Sequence, residues 1–117
     1  MPYIRIATAK SLSELQQDTL KQELGSAISS IPGKTEAVTM IEISLGQTIY
    51  FRGARETSSA FVEIKLFRKT TREAKEAFAV QVFFILEKVA GIIPEDVYLN
   101  FQECDNWGLK GILKFDS

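Results

Sequence analysis

Few groups in this sequence could move a proton near neutral pH, and that scarcity points to the amino terminus. None of the 117 residues is histidine, and Cys104 is the only cysteine. Acid–base work must fall to carboxylates, lysines, tyrosines or a terminal amine, because the side chain that ordinarily titrates near neutrality is missing. A lone cysteine also excludes an internal disulfide, a Cys-x-x-Cys redox pair and a cysteine-rich zinc site. Pro2 directly follows Met1. Proline in second place permits removal of the initiator methionine, which would leave a rigid secondary amine. In an apolar pocket beside a cation that amine has a lowered pKa, since both influences disfavour its charged form. A neutral amine there could take a proton from carbon or from an enol oxygen and return it elsewhere. While Met1 remains, the Pro2 nitrogen is a tertiary amide with no basic lone pair.

A terminal base needs a scaffold. Pro2 to Thr8 reads as a short strand, and Ser11 with Glu14 has capping-box spacing, which predicts a helix from there. Leu12, Leu15, Leu20, Leu24, Ala27 and Ile28 recur at roughly helical spacing and predict one buried face. After the Pro32-Gly33 break, Val38 to Leu45 reads as a strand with Ile41, Ile43 and Leu45 on one side and Met40, Glu42 and Ser44 on the other. The second half repeats this order: a strand from Ser59 to Phe67, a capping box at Thr70 and Glu73, a helix to Gly91, then Pro94 and a strand from Val97 to Phe101. Tyr3-Ile4-Arg5-Ile6 matches Phe61-Val62-Glu63-Ile64, and Glu36-Ala37-Val38 matches Glu95-Asp96-Val97. The expected architecture is α/β (α+β): one domain over residues 1–117 built from two β-α-β repeats, about 2–58 and 59–117. They would form a four-stranded mixed sheet with both helices on one face.

The strand period sends Arg5, Glu42, Glu63 and Lys65 to the face away from the helices, which is therefore polar. The second helix is apolar around most of its circumference, as Phe78, Val80, Val82, Phe83, Phe84, Ile85, Leu86 and Val89 show. A helix of that kind is usually buried on more than one side, which predicts a homo-oligomer. With 25% charged residues and a formal net charge of −1, the chain has no electrostatic footprint for nucleic acid or an anionic membrane. No apolar stretch approaches the ~20 residues of a spanning helix, and the start lacks the pattern of a signal peptide. A soluble, cytoplasmic protein is expected.

Met1-Pro2 before a strand, the β-α-β repeat, Pro32-Gly33-Lys34, the run Pro94-Glu95-Asp96-Val97-Tyr98-Leu99-Asn100-Phe101, and Asn106-Trp107-Gly108 together carry a resemblance. Over essentially the full chain they resemble the tautomerase superfamily, in its macrophage migration inhibitory factor and D-dopachrome tautomerase branch. The resemblance implies a homotrimer with an active site at each subunit boundary and the polar sheet faces lining a central channel. It implies keto–enol tautomerisation of phenylpyruvate-like 2-oxo acids without a cofactor or metal. By the same resemblance the catalytic proline falls on Pro2 and the cation beside the substrate carboxylate on Lys34. A backbone group falls near Leu66, and the tyrosine and asparagine supplied by a neighbouring subunit fall on Tyr98 and Asn100. Those two share strand parity and so one face. Tyr3 and Trp107 would form aromatic walls suited to a phenyl-bearing substrate.

The sequence departs from the family prototype in lacking its Cys-x-x-Cys and in carrying Arg52, Arg55 and Glu56 where smaller residues are usual. Two other readings stay open: a non-enzymatic binding or signalling trimer, and hydratase or decarboxylase chemistry on small acids. The latter requires an arginine pair near the site, and Arg68, Lys69 and Arg72 are expected to be surface cations instead.

Overall fold

The computed structural model describes residues 1–116. Its frame is a four-stranded sheet of β1 (Pro2–Thr8), β2 (Met40–Ser44), β5 (Ala60–Phe67) and β6 (Val97–Cys104), in the order β2-β1-β5-β6. The outer pairs β1–β2 and β5–β6 are parallel, while the central pair β1–β5 is antiparallel with Pro2 opposite Leu66 and Arg5 opposite Glu63. Each parallel pair is joined by a helix, α1 (Glu14–Ala27) or α2 (Arg72–Ala90), giving two β-α-β units. Alternate strand residues Ile4, Ile6, Val62, Ile64 and Leu66 are sealed against Leu20, Leu24, Ile28, Phe78, Val82 and Leu86 of the helical layer. Fully burying one such side chain contributes about 1.5–3 kcal/mol.

The helix starts differ from the expected capping boxes by one or two residues. Ser13, not Ser11, caps α1: its hydroxyl accepts from the Gln16 N–H at 3.1 Å, and the Gln16 amide oxygen accepts from the Ser13 N–H at 2.9 Å. Thr71, not Thr70, caps α2, accepting from the Ala74 N–H at 3.1 Å. In both sequences a second hydroxyl residue stands close to the true cap. Leu15 is also corrected: it is 75% exposed. It lies five positions before Leu20, well around the helix from the buried stripe. The strand expected to begin at Val38 begins at Met40, because Glu36–Val38 forms a 3-10 turn.

Two hairpins were not foreseen. β3 (Ile49–Phe51) pairs with β4 (Ala54–Glu56), and β7 (Asn106–Leu109) with β8 (Ile112–Phe115). Each is closed by a two-residue turn, Arg52-Gly53 and Lys110-Gly111, with positive φ at both positions (56° and 81°, 50° and 79°). That is the turn whose twist matches a hairpin, and its second position favours glycine.

The sheet face away from the helices is polar, as expected. Tyr3 donates its hydroxyl to Glu42 at 2.5 Å, Ser44 donates to the same carboxylate at 2.8 Å, and Arg5 bridges Glu42 at 3.0 Å and Glu63 at 3.3 Å. No helix among the described residues is long and apolar enough to cross a membrane.

Candidate active site

Pro2 opens β1 and is buried, held by its pairing with Leu66. One residue further, the Phe67 N–H donates to the Met1 carbonyl at 3.4 Å, so the terminus is fastened to the end of β5. Lys34 reaches the same place from the other side. Its backbone N–H closes the Pro32-Gly33 turn on the Ile31 carbonyl at 3.1 Å, and its ammonium donates to the Phe67 carbonyl at 2.9 Å. Burial, then the neighbouring Arg68, lowers the Lys34 pKa. Burial, then Lys34, lowers that of the Met1 amine. Both effects have one physical origin: a charged form that loses water and faces like charge is disfavoured.

A groove of about 520 Å³ opens beside this terminus, walled by Met1, Pro2, Tyr3, Val38, Met40 and Trp107, with Lys65 and Lys110 at its margins. Trp107 stands on the β7–β8 hairpin, its ring centroid 6.5 Å from that of Phe67. Tyr3 lines the groove with its ring, while its hydroxyl is engaged by Glu42, a hydrogen bond that pushes its pKa up to about 12. Its hydroxyl is therefore committed to Glu42 and holds its proton. The Leu66 side chain lies wholly in the core, so only its backbone is available beside Pro2.

Tyr98 and Asn100 are not brought to this groove. They pair with Phe61 and Glu63, and Phe61 in turn faces Ala7, five residues along β1 from Pro2. At ~3.3 Å per residue that separation is about 16 Å along the strand. Tyr98 is 61% exposed there, its ring edge-on to Phe51 at 4.8 Å. Within one chain the Pro2 groove and Tyr98 therefore lie at opposite ends of the sheet.

Arg68, expected to be a surface cation, is more constrained than that. It adopts a positive φ of 74° directly after β5, donates its N–H to the Cys104 carbonyl at 2.9 Å, and places its guanidinium 5.0 Å over the Phe67 ring. Its charge also meets Asp116 at 3.5 Å. Only the left-handed backbone marks it out, and an arginine carries no sequence signal for that. Arg72 is occupied with Glu76 at 2.8 Å on the exposed face of α2. The arginine pair needed for hydration or decarboxylation of small acids is therefore not assembled at the groove.

A sheet of two β-α-β units with a buried proline near its amino terminus beside an open groove is the arrangement of the tautomerase fold. The sequence profile of the macrophage migration inhibitory factor family matches residues 1–112, and the chain belongs to that family. Similar solved structures include macrophage migration inhibitory factor 2 of Leishmania major, with a TM-score of 0.87, 21% identity and 97% of each chain covered. A protein designated Pt0534, inactivated by 2-oxo-3-pentynoate, gives 0.84 at 17% identity over 93% of each chain. A fused 4-OT asymmetric trimer gives 0.84 at 15% identity, over 97% of this chain and 95% of its own. No curated protein gives a significant sequence match.

Proposed function

We propose that this protein is a phenylpyruvate-type tautomerase whose general base is the Pro2 amine, freed by removal of Met1. The observation that carries the reading is the electrostatics of the terminus. Burial, then Lys34, lowers the pKa of the Met1 amine, one residue before Pro2. A freed Pro2 amine, buried beside Leu66 at the same strand end, would meet the condition a terminal amine needs to act as a neutral base. Pro2 would shuttle the proton between carbon and enol oxygen, while the Lys34 ammonium holds the carboxylate and stabilises the developing enolate. Tyr3 and Trp107 would flank the phenyl group, and the Leu66 backbone would border the base. The substrate class finds support in a structural neighbour inactivated by 2-oxo-3-pentynoate, itself a 2-oxo acid.

The working form would be a homotrimer, with Tyr98 and Asn100 of one subunit completing the Pro2 groove of the next. Their exposure, the open edges at β2 and β6, and the polar sheet face all support such an assembly, and one structural neighbour is described as a trimer. The test is the ultraviolet decay of phenylpyruvate enol, with Met1 shown by mass to be absent. Pro2→Ala is expected to lower kcat/KM by about 10²–10⁴-fold, the usual share of a general base. Equal rates for variant and wild type would sink the proposal.

A further inference from the structure

The exposed position of Tyr98 raises the question of what holds its ring in place. The β3–β4 hairpin pairs only with itself and overlies a cavity of about 280 Å³ bounded by Ile49, Tyr50, Phe51, Ser59, Phe61 and Tyr98. A hairpin standing over a void has few packing contacts beneath it to fix its position. Its firm attachment is through the turn residue Arg52. The guanidinium donates to the Glu95 carbonyl at 3.0 Å, binds the Asp96 carboxylate and approaches Glu56 at 3.9 Å. It also lies 4.3 Å over the Phe51 ring, which meets the Tyr98 ring edge-on. Asp96 ends the 3-10 turn Pro94–Asp96 just before β6, and Tyr98 is the second residue of that strand, so Arg52 grips the turn that launches Tyr98 and supports the ring through Phe51. The guanidinium pKa is raised, chiefly by Asp96, with Glu56 and Tyr98 adding to it.

We infer that Arg52, through Asp96 and Phe51, is a positioning residue that presents Tyr98 to the groove of the adjacent subunit. The inference rests on the shared site proposed above. It gives the hairpin a task in the reaction and turns a departure from the family pattern into a working part. A bidentate guanidinium with a planar face suits this double duty, which the point charge of a lysine cannot reproduce.

Arg52→Asn tests it cleanly, because asparagine followed by Gly53 favours the same two-residue turn while removing the guanidinium. With trimer mass unchanged, kcat/KM for phenylpyruvate enol is expected to fall about tenfold, mainly in kcat, short of the ~10²-fold that an ångström of misplacement can cost. In a Tyr98→Phe background the same change should cost less than about twofold, since residues acting through one another are not additive. Asp96→Asn, which cuts the clamp from its other end, should repeat this pattern, and Arg52→Lys should recover only part of the loss. The inference is overturned if Arg52→Asn leaves kcat/KM unaltered, or lowers it by one factor in both backgrounds. A Tyr98→Phe enzyme as active as wild type would instead overturn the shared site, and this inference with it.

Discussion

At one end of the central sheet Pro2 is buried against Leu66 and Lys34 bonds to the Phe67 carbonyl, whereas at the other end Tyr98 stands 61% exposed on a hairpin clamp. The contrast follows from what each group has to do. A terminal amine becomes a useful base only if it loses water and meets a cation, and a single chain can arrange both by closing a turn over the end of a strand. On the shared site proposed above, a hydroxyl that enters another subunit's pocket would have to remain open in the free chain. Tyr98 is indeed backed by Phe51, itself under Arg52, and not enclosed. The base end is shaped by desolvation and the Tyr98 end by geometric support.

The most severe test of this contrast blocks the base end alone. A variant that retains a residue before Pro2 keeps the fold, since Met1 is already accommodated with its carbonyl bonded to the Phe67 N–H. It converts the amine to an amide, and enol decay should fall by about 10³-fold or more, a general base being lost outright. The next test joins the ends. Pro2→Ala and Tyr98→Phe subunits, each poor alone, are co-expressed in equal amounts and assembled at random. About a quarter of the sites then pair an intact Pro2 with an intact neighbouring Tyr98, so about a quarter of wild-type activity should return. Activity no higher than that of the better parent would show that each subunit works within itself.

Removing Lys34 tests the electrostatic half. Lys34→Met is expected to lower kcat/KM about 10- to 100-fold, the range for losing a hydrogen bond to a charged group. It should also move the pH profile in a defined direction. Burial, then Lys34, holds the Met1 amine below its ordinary pKa. A Pro2 amine freed at the same place would face the same cation, so without Lys34 it should lose its proton at a higher pH. The limb on which activity rises with pH should therefore move up. A limb that stays in place would remove Lys34 from the electrostatics of the base.

The base end was the more legible of the two. Met1-Pro2 and the alternating strands mark the terminus and its sheet by local pattern and chain order, while Lys34 is picked out as the cation only through the family resemblance that Pro32-Gly33-Lys34 helps to carry. Tyr98 and Asn100 could be placed on one face from their parity, but not on a hairpin support. Arg52-Gly53 and Lys110-Gly111 lack the Asn-Gly or Asp-Gly signature that announces such turns, and their strands are only three or four residues long. The placement of Arg68 was not legible for a related reason. Its left-handed backbone follows from where β5 ends, which depends on tertiary packing and not on the residue itself.

The smallest effect belongs to the polar strip between the two ends, where Tyr3, Ser44 and Arg5 converge on Glu42. Those hydrogen bonds, Tyr3's first, lower the Glu42 pKa from 4.5 to about 2. The folded chain therefore binds this proton more weakly than the unfolded chain does. Its contribution to stability is complete above the unfolded pKa and is lost as pH falls from about 4.5 toward 2. In Glu42→Gln that part of the acid sensitivity should disappear, leaving a smaller drop in urea midpoint between pH 6 and pH 3 than in wild type. Because the strip is open to solvent, the difference should be modest and should shrink in high salt. An identical drop in both proteins would show that the strip is a solvated surface with no part in holding β1 to β2. The link between the base end and the rest of the sheet would then rest on backbone pairing and the buried core alone.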